Sequence, residues 1–454
     1  MKKKTLLLSV VIALLLVVSS AVMAEDEIIH LRYVGWAYDG DDTQDQQVRI
    51  DAFMERYPHI HVTYEFIPQG EYDSQMMTWA AAGNLPDILW VNNNLLYVRN
   101  GWLGDLTPFL EADPTFDPDM FFGNTLEPGY VRGRYFSLPF QLQAGFLVAN
   151  LDLIHQMGLR LPSPDWTTDD LYAFCQRLNR PSENYYGMED PWIFWAHFPP
   201  AFSEKVTWDG LALDGSHFLF DDPEVAEAFK WVTDFERNNA AVSIGLADGS
   251  RPDPWNHDAF REAYGNVTPF DQSKAAMHMN WSWSFNWQHQ NFTFNWDIIP
   301  YPAGPARQVT PLIVDSMGIS STTKYPDEAF AFVRWMTYDV DAWKTRMQVE
   351  KPMPYSLPTI EDDEVWELYF ANEAVPSGMR HVYETLPNGM VEPARSTPGI
   401  PEVWDIIGPA RDQYRMGLAT YDDIFPTIVN DQANQLMREA YEANERALDQ
   451  VLGK

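Results

Sequence analysis

Residues 27–91, EIIHLRYVGWAYDGDDTQDQQVRIDAFMERYPHIHVTYEFIPQGEYDSQMMTWAAAGNLPDILWV, set out one arrangement, repeat it, and open it a third time. Glu27 to Trp36 has strand character, and Asp42 or Thr43 can cap a helix whose apolar residues Ile50, Phe53, Met54 and Tyr57 recur at helical spacing until Pro58. From His59 to Phe66 the period drops to two, placing Ile60, Val62, Tyr64 and Phe66 on one face. Glu71 to Ala82 gives a second helix with Tyr72, Met76, Trp79 and Ala80 inward and Gly83 as its C-cap. Asp87 to Val91 is the third strand. This alternation predicts a parallel sheet with right-handed crossovers, and such sheets take ligands beyond the carboxyl ends of their strands. That rule points at Trp36 to Asp42 and at Trp90 to Asn94.

The first residues predict export. Lys2, Lys3 and Lys4 form a basic segment, Leu6 to Val18 an apolar one, and Val22-Met23-Ala24 a small-residue cleavage signal, so residues 1–24 read as a secretory leader cut after Ala24. An uncleaved anchor is the alternative, since the apolar run from Leu6 to Met23 is almost long enough to span a bilayer. The single cysteine, Cys175, is not at the cleavage point, so no lipid anchor is expected and the mature chain is predicted to be free in the periplasm or outside the cell. Losing three lysines takes the formal charge from −34 to −37, which repels nucleic acid and anionic headgroups. Cys175 sits with Leu171, Phe174 and Leu178 on one helical face and reads as an inert buried thiol.

Further along, Thr167 and Asp170 form a capping box, and Pro326 opens a helix with Ala329, Phe332, Val333 and Met336 inward. Asp431 to Leu452 is a last amphipathic helix. Lys274 to Trp296, KAAMHMNWSWSFNWQHQNFTFNW, alternates Trp281, Trp283, Phe285 and Trp287 with Asn280, Ser282, Ser284 and Asn286. If extended, the run has rings on one side and small polar groups on the other, a surface suited to the apolar face and the oxygens of a pyranose. Packing of the same rings in a core is the alternative reading.

In order and motif the chain resembles the family 1 extracellular solute-binding proteins, the sugar receptors of ATP-driven importers. The resemblance runs from about Ile28 to Ala440. It is carried by Tyr57-Pro58, Ala82-Gly83, Pro86-Asp87 and Gly101 to Thr107; by Gly133, Leu138-Pro139, Gly158-Leu159 and Trp166-Thr167; by Ala275-Ala276-Met277 before Trp281; and by Trp296, Pro300 and Gly304. It implies an α/β, type II periplasmic-binding fold with two lobes around a ligand cleft. The expected lobes are 25–142 plus 298–342 and 143–297 plus 343–454, with crossings near Gln141 to Gly145, Asp297 to Pro300 and Val340 to Pro352. It further implies a monomer that binds a neutral saccharide or oligosaccharide without altering it and hands it to the permease subunits of an importer.

By local alignment the resemblance makes Trp36 and Asp39 candidates in the loop after the first strand. It adds Trp90, Asn92 and Asn93 past the third strand, Gln143 after Pro139, and Trp281 and Trp283 in the aromatic run. Trp192 and Trp195 lie at about the place of a stacking residue, and Trp404 resembles a cleft aromatic of the final segment. Asp315 and Ser316 stand at the rim, and Arg395 reads either as a contact for an acidic sugar or as a solvated side chain. Asn92, Asn93 and Gln143 stand where the maltose-binding members carry acidic or other polar groups, and an amide can both donate and accept.

A secreted glycoside hydrolase would need two carboxylates roughly 5 to 9.5 Å apart across the cleft, and the Asp39, Asp41 and Asp42 cluster reads more simply as a helix N-terminus. No His-Glu-x-x-His, paired-cysteine, Gly-x-Ser-x-Gly or phosphate-binding glycine motif occurs, so neither metal nor cofactor is expected. A sugar sensor serving a signalling partner would use the same cleft.

Overall fold

The computed structural model describes residues 28–37, 44–180, 183, 185–189, 191–237, 268–349, 354 and 356–453. The expected leader and the loop carrying Asp39, Asp41 and Asp42 lie outside the described residues.

The opening elements follow the order read from the sequence: β1 (Ile29–Ala37), α1 (Gln44–Arg56), β2 (Ile60–Pro68), α2 (Gln69–Ala81) and β3 (Ile88–Val91). β1 runs parallel to both β2 and β3. Ile50 and Phe53 of α1, Ile60 and Val62 of β2, and Tyr72 and Met76 of α2 are all buried in one core, which accounts for their spacing. The Tyr72 hydroxyl donates to the Trp90 carbonyl (2.9 Å), tying α2 to the end of β3.

The centre of the molecule is β4 (Leu138–Asn150), thirteen residues that are all buried. β5 (Tyr186–Met188), β6 (Ala275–Trp281), β7 (Trp296–Ile299), β8 (Thr310–Ile319) and β9 (Gly389–Val391) complete one mixed sheet in the order β2-β1-β3-β8-β4-β6-β5, with β9 beside β8 and β7 beside β4. β4 pairs antiparallel with β8 as far as Ala144, and from Gly145 onward with β6 and β7. Two half-sheets therefore share one strand, and the exchange of partners falls between Ala144 and Gly145. A Cβ at Gly145 would lie 2.7 Å from Pro311 Cγ and 3.2 Å from Met279 Cε, so the exchange needs a residue without a side chain.

Two large cores flank this sheet. One gathers α1, α2, β1 to β3 and β8, and follows β4 as far as Val148 to take in Ala275, Phe285 and Ile298. The other gathers Leu147, Ala149, α3 (Thr168–Leu178), α4 (Pro223–Phe235), Ile299, Tyr301 and the inner face of α8 (Ile400–Arg415). α5 (Phe285–Asn291) leads into β7, and α6 (Pro326–Thr337) and α7 (Val340–Met347) pack on the first core. Trp343, Met347, Leu357, Trp366 and Val391 belong to that first core as well. Arg49 lies over the Trp343 ring at 4.4 Å, and Phe122 meets Trp366 edge to face at 5.7 Å. Residues on both sides of position 342 therefore pack in this core.

The long last helix, α9 (Asn430–Leu452), places Ala433 and Met437 in the second core and Leu448 in the first. Arg132, from the hairpin that follows Tyr130, holds its far end through Glu445 and Asp449. Cys175 is buried on α3, where burial pushes its thiol well above the ordinary range, in keeping with an inert side chain. The Thr167 and Asp170 capping box forms as expected. Among the described residues no helix is long and apolar enough to cross a membrane.

Candidate ligand-binding site

Just before the midpoint of β4 stands Gln143. It is buried, its Oε1 accepts from Ser282 Oγ (2.6 Å), and the same hydroxyl accepts from the Ala144 amide (3.2 Å). These bonds explain a departure from the extended reading of the aromatic run. β6 stops at Trp281, Ser282 to Ser284 form a tight turn, and α5 begins at Phe285. Ser282 is drawn to β4 and Ser284 Oγ donates back to the Trp281 carbonyl (2.6 Å), so local hydroxyl bonds replace the strand ladder.

The four rings consequently diverge. Trp281 and Trp283 stack on each other with centroids 5.2 Å apart, and Trp281 also stacks on Trp208 at 6.2 Å. Phe285 turns inward against Phe146 (5.2 Å), while Trp287 is 49% exposed. His197, kept neutral because burial lowers its pKa to about 3, underlies Trp208 and Trp281 at 4.4 and 5.7 Å. The Trp208 indole donates to the Met390 carbonyl (3.0 Å), joining this cluster to β9.

Across the sheet, Trp36 and Trp90 pack at 4.5 Å, and Trp90 meets Phe140 edge to face at 4.8 Å. Just beyond, Asn92 Oδ1 is buried without a hydrogen-bond partner among the described residues. Asn93 has a structural task, its Oδ1 accepting from the Leu96 amide as the cap of a short helix. β8 faces this corner. Its register against β4 slips between Asp315 and Ser316, an irregularity that re-aims side chains.

Arg395 closes the corner. It donates to Asp315 (2.6 Å), to Glu392 (3.1 Å) and to the Asn92 carbonyl (3.4 Å), so it is neither a solvated side chain nor free for an acidic ligand. Burial lifts the Asp315 pKa against the pull of Arg395. Burial also works against the Arg395 charge, but Asp315 and Glu392 more than offset it and raise its pKa. Glu392 in turn bears on Asp209, whose carboxyl accepts from Trp404 Nε1 (3.1 Å). Burial lifts the Asp209 pKa to about 6 despite the nearby Arg411 cation. Arg411 also lies 5.9 Å from the centre of the Trp192 ring.

Of the sequence-based candidates, Trp36 packs on Trp90, Arg395 holds the Asn92 carbonyl, Gln143 reaches Trp281 and Trp283 through Ser282, and Trp404 bonds to Asp209 beside Trp208, with the Glu392 charge acting on Asp209. Trp195 is placed elsewhere. It is 1% exposed and stacks on Phe229 (4.8 Å) in the second core, a structural position. Asp39 lies outside the described residues. Trp208 and Asp209 were missed in the sequence, where only the Asp209-Gly210 turn signal marks them. A cavity of about 770 Å³ adjoins this cluster at Thr207 and Met390 and is lined further by residues including Tyr130, Arg132, Thr397 and Tyr441. It has no tryptophan in its wall, and its Arg132 is ion-paired to Glu445, so the indole cluster is the better candidate for solute binding.

Among known proteins, the family model described as bacterial extracellular solute-binding protein matches residues 40–339. The chain belongs to that family. A mannitol-binding protein of Pseudomonas aeruginosa is 30% identical over 141 residues, a match spanning 30% of this chain and 31% of that relative. Solved relatives of the solute-binding class match almost end to end. The ABC substrate-binding protein Lmo0181 from Listeria monocytogenes, in complex with cycloalternan, has a TM-score of 0.68 at 19% identity, covering 91% of this chain and 99% of that one. The sugar-binding protein MalE from Xanthomonas citri has a TM-score of 0.70 at 14% identity, covering 92% and 99%. The cyclic alpha-maltosyl-1,6-maltose binding protein from Arthrobacter globiformis has 0.68 at 17%, covering 90% and 99%. The fold expected from the sequence, α/β with two lobes, is the one these solute-binding proteins share with this chain. Membership of an extracellular family agrees with a periplasmic or secreted location.

Proposed function

We propose that this solute-binding protein is the exported receptor of an ABC-type importer, that it closes on a neutral saccharide at the indole cluster, and that it delivers that solute to the permease. One observation carries the reading: the partly exposed indoles of Trp281 and Trp283 stack on each other and are backed by buried Trp208, while on the other side of the shared strand β4 buried Trp90 packs against Trp36, and both pairs border buried amides. Rings take the C–H faces of sugars, and amides and carboxylates take the hydroxyls. The guanidinium of Arg395 is already neutralised by two carboxylates, which favours an uncharged solute over an acidic one. Several indoles along one wall favour more than one sugar unit. The partial match to a mannitol-binding protein keeps polyols within the same chemistry.

In this reading the lobes are the two half-sheets that share β4, and rotation about the Ala144 to Gly145 exchange and its neighbouring crossings closes the gap. The protein works as a monomer whose leader is removed after Ala24. Binding without hydrolysis is supported by Asp315 and Glu392 both being committed to Arg395, which leaves no free carboxylate among them to pair with Asp209. The test is a panel of D-mannitol, D-tagatose, maltose, maltotriose and acarbose, read by tryptophan fluorescence and calorimetry. Saturable binding of at least one probe, with no new reducing ends from the oligosaccharides, is the expected result. A flat response across the panel refutes the saccharide reading, and released sugar refutes the receptor.

A further inference from the structure

We propose that Asp209 is a direct solute contact, the carboxylate that accepts hydroxyl hydrogens of the bound molecule. The inference rests on the saccharide reading above and names a charged acceptor for it.

Among the described residues, three carboxylates border the indole cluster, and two of them are held by one arginine. Asp315 and Glu392 are both held by Arg395. Asp209 has one hydrogen bond among the described residues, from Trp404 Nε1. An ionised carboxylate offers roughly four acceptor positions, so most of its capacity remains open. Charge-assisted bonds of this kind are the strong ones in a partly buried site.

The backbone supplies an independent argument. Asp209 has φ 57° and ψ 10°, inside the turn Trp208-Asp209-Gly210, and Gly210 follows at φ 79°. Only Arg132, Asp209 and Ser273 among the described non-glycine residues have positive φ. Glycine fills such a position without strain, so a side chain kept there is expected to serve a purpose. That purpose is visible in the neighbours. Trp208, fixed by the Met390 carbonyl and stacked on Trp281, holds one side of the turn, and Trp404 holds the carboxyl itself. The turn thus sets a carboxylate beside the exposed Trp404 indole, where a solute ring stacked on that indole would bring its hydroxyls within reach.

Two variants test the assignment. Asp209→Asn keeps the shape and tolerates the left-handed backbone, and Asp209→Gly removes both the carboxylate and the strain. Parent and variants are titrated calorimetrically with D-mannitol, D-tagatose, maltose, maltotriose and acarbose, and their melting temperatures are compared. The expected result is a parent that binds at least one probe, with both variants binding it at least tenfold more weakly and the glycine variant melting no lower than the parent. Affinities within threefold of a parent that binds overturn the role of Asp209 and leave the saccharide reading intact. Weaker binding accompanied by a clear fall in both melting temperatures assigns Asp209 to the scaffold and also overturns it. A parent that binds no probe removes the saccharide reading and this inference together.

Discussion

Replacing Trp283 by alanine separates a binding wall from a packing ring. The indole is partly exposed, and among the described residues its ring contact is the stack on Trp281 at 5.2 Å. One aromatic pair contributes about 0.5–1.5 kcal/mol beyond area burial, so the folding cost should be about 1 kcal/mol, well under the 3–5 kcal/mol of a fully buried aromatic. A ring that stacks on a desolvated solute contributes more to binding than that, about 2 kcal/mol, which is roughly a thirtyfold loss of affinity. Urea denaturation measures the first number and calorimetric titration with the tightest-binding saccharide of the panel measures the second. The two must diverge, with binding hit harder than folding. An affinity within twofold of the parent, in a protein that still folds, removes Trp283 from the site. Trp195→Ala provides the contrast, because its burial against Phe229 predicts a folding loss of about 3–5 kcal/mol.

Arg395→Met leaves Asp315 and Glu392 without their shared cation, and we expect about 3 kcal/mol less stability in urea at pH 7; a loss under about 1 kcal/mol would show the pairings to be incidental. Asp209 binds its proton more tightly in the folded protein, at about pH 6, than in the unfolded chain, so its contribution to stability grows as pH falls from about 6 to about 4. The difference in melting temperature between the parent and Asp209→Asn should therefore shift in favour of the parent between pH 7 and pH 4.5, and a constant difference contradicts the burial assigned to this carboxyl. Gly145→Ala places a methyl 2.7 Å from Pro311 Cγ and should cost about 1–3 kcal/mol while changing affinity at a distance from the rings. Unchanged melting and unchanged affinity would mean that the strand exchange relaxes freely.

Much of the fold was legible because the N-terminal block obeys two clear periods: Ile60, Val62, Tyr64 and Phe66 alternate, and Ile50, Phe53, Met54 and Tyr57 wind. The aromatic run was harder for a physical reason. WSWSFNW satisfies the strand period, but Ser282 and Ser284 can bond to Gln143 and to the Trp281 carbonyl, and those bonds turn the chain. Trp195 and Trp283 are the same residue type in similarly aromatic surroundings, and only tertiary packing assigns one to a core and the other to a wall. Arg395 has Glu392 three residues before it, but its other partners, Asp315 and Asn92, are 80 and 303 residues away in sequence. The extent of the first core beyond residue 342 was hidden for the same reason, Trp343 being recognisable only by the Arg49 it lies against.

The last helix carries a consequence of its own. α9 is rooted in one core through Ala433 and Met437 and in the other through Leu448, with Arg132 ion-paired to its far end, so it joins the two halves in addition to the strands. Any excursion must flex a rod of 23 residues or unseat its tip. If the lobes close as proposed, this helix would couple their movement, because it is seated in both cores at once.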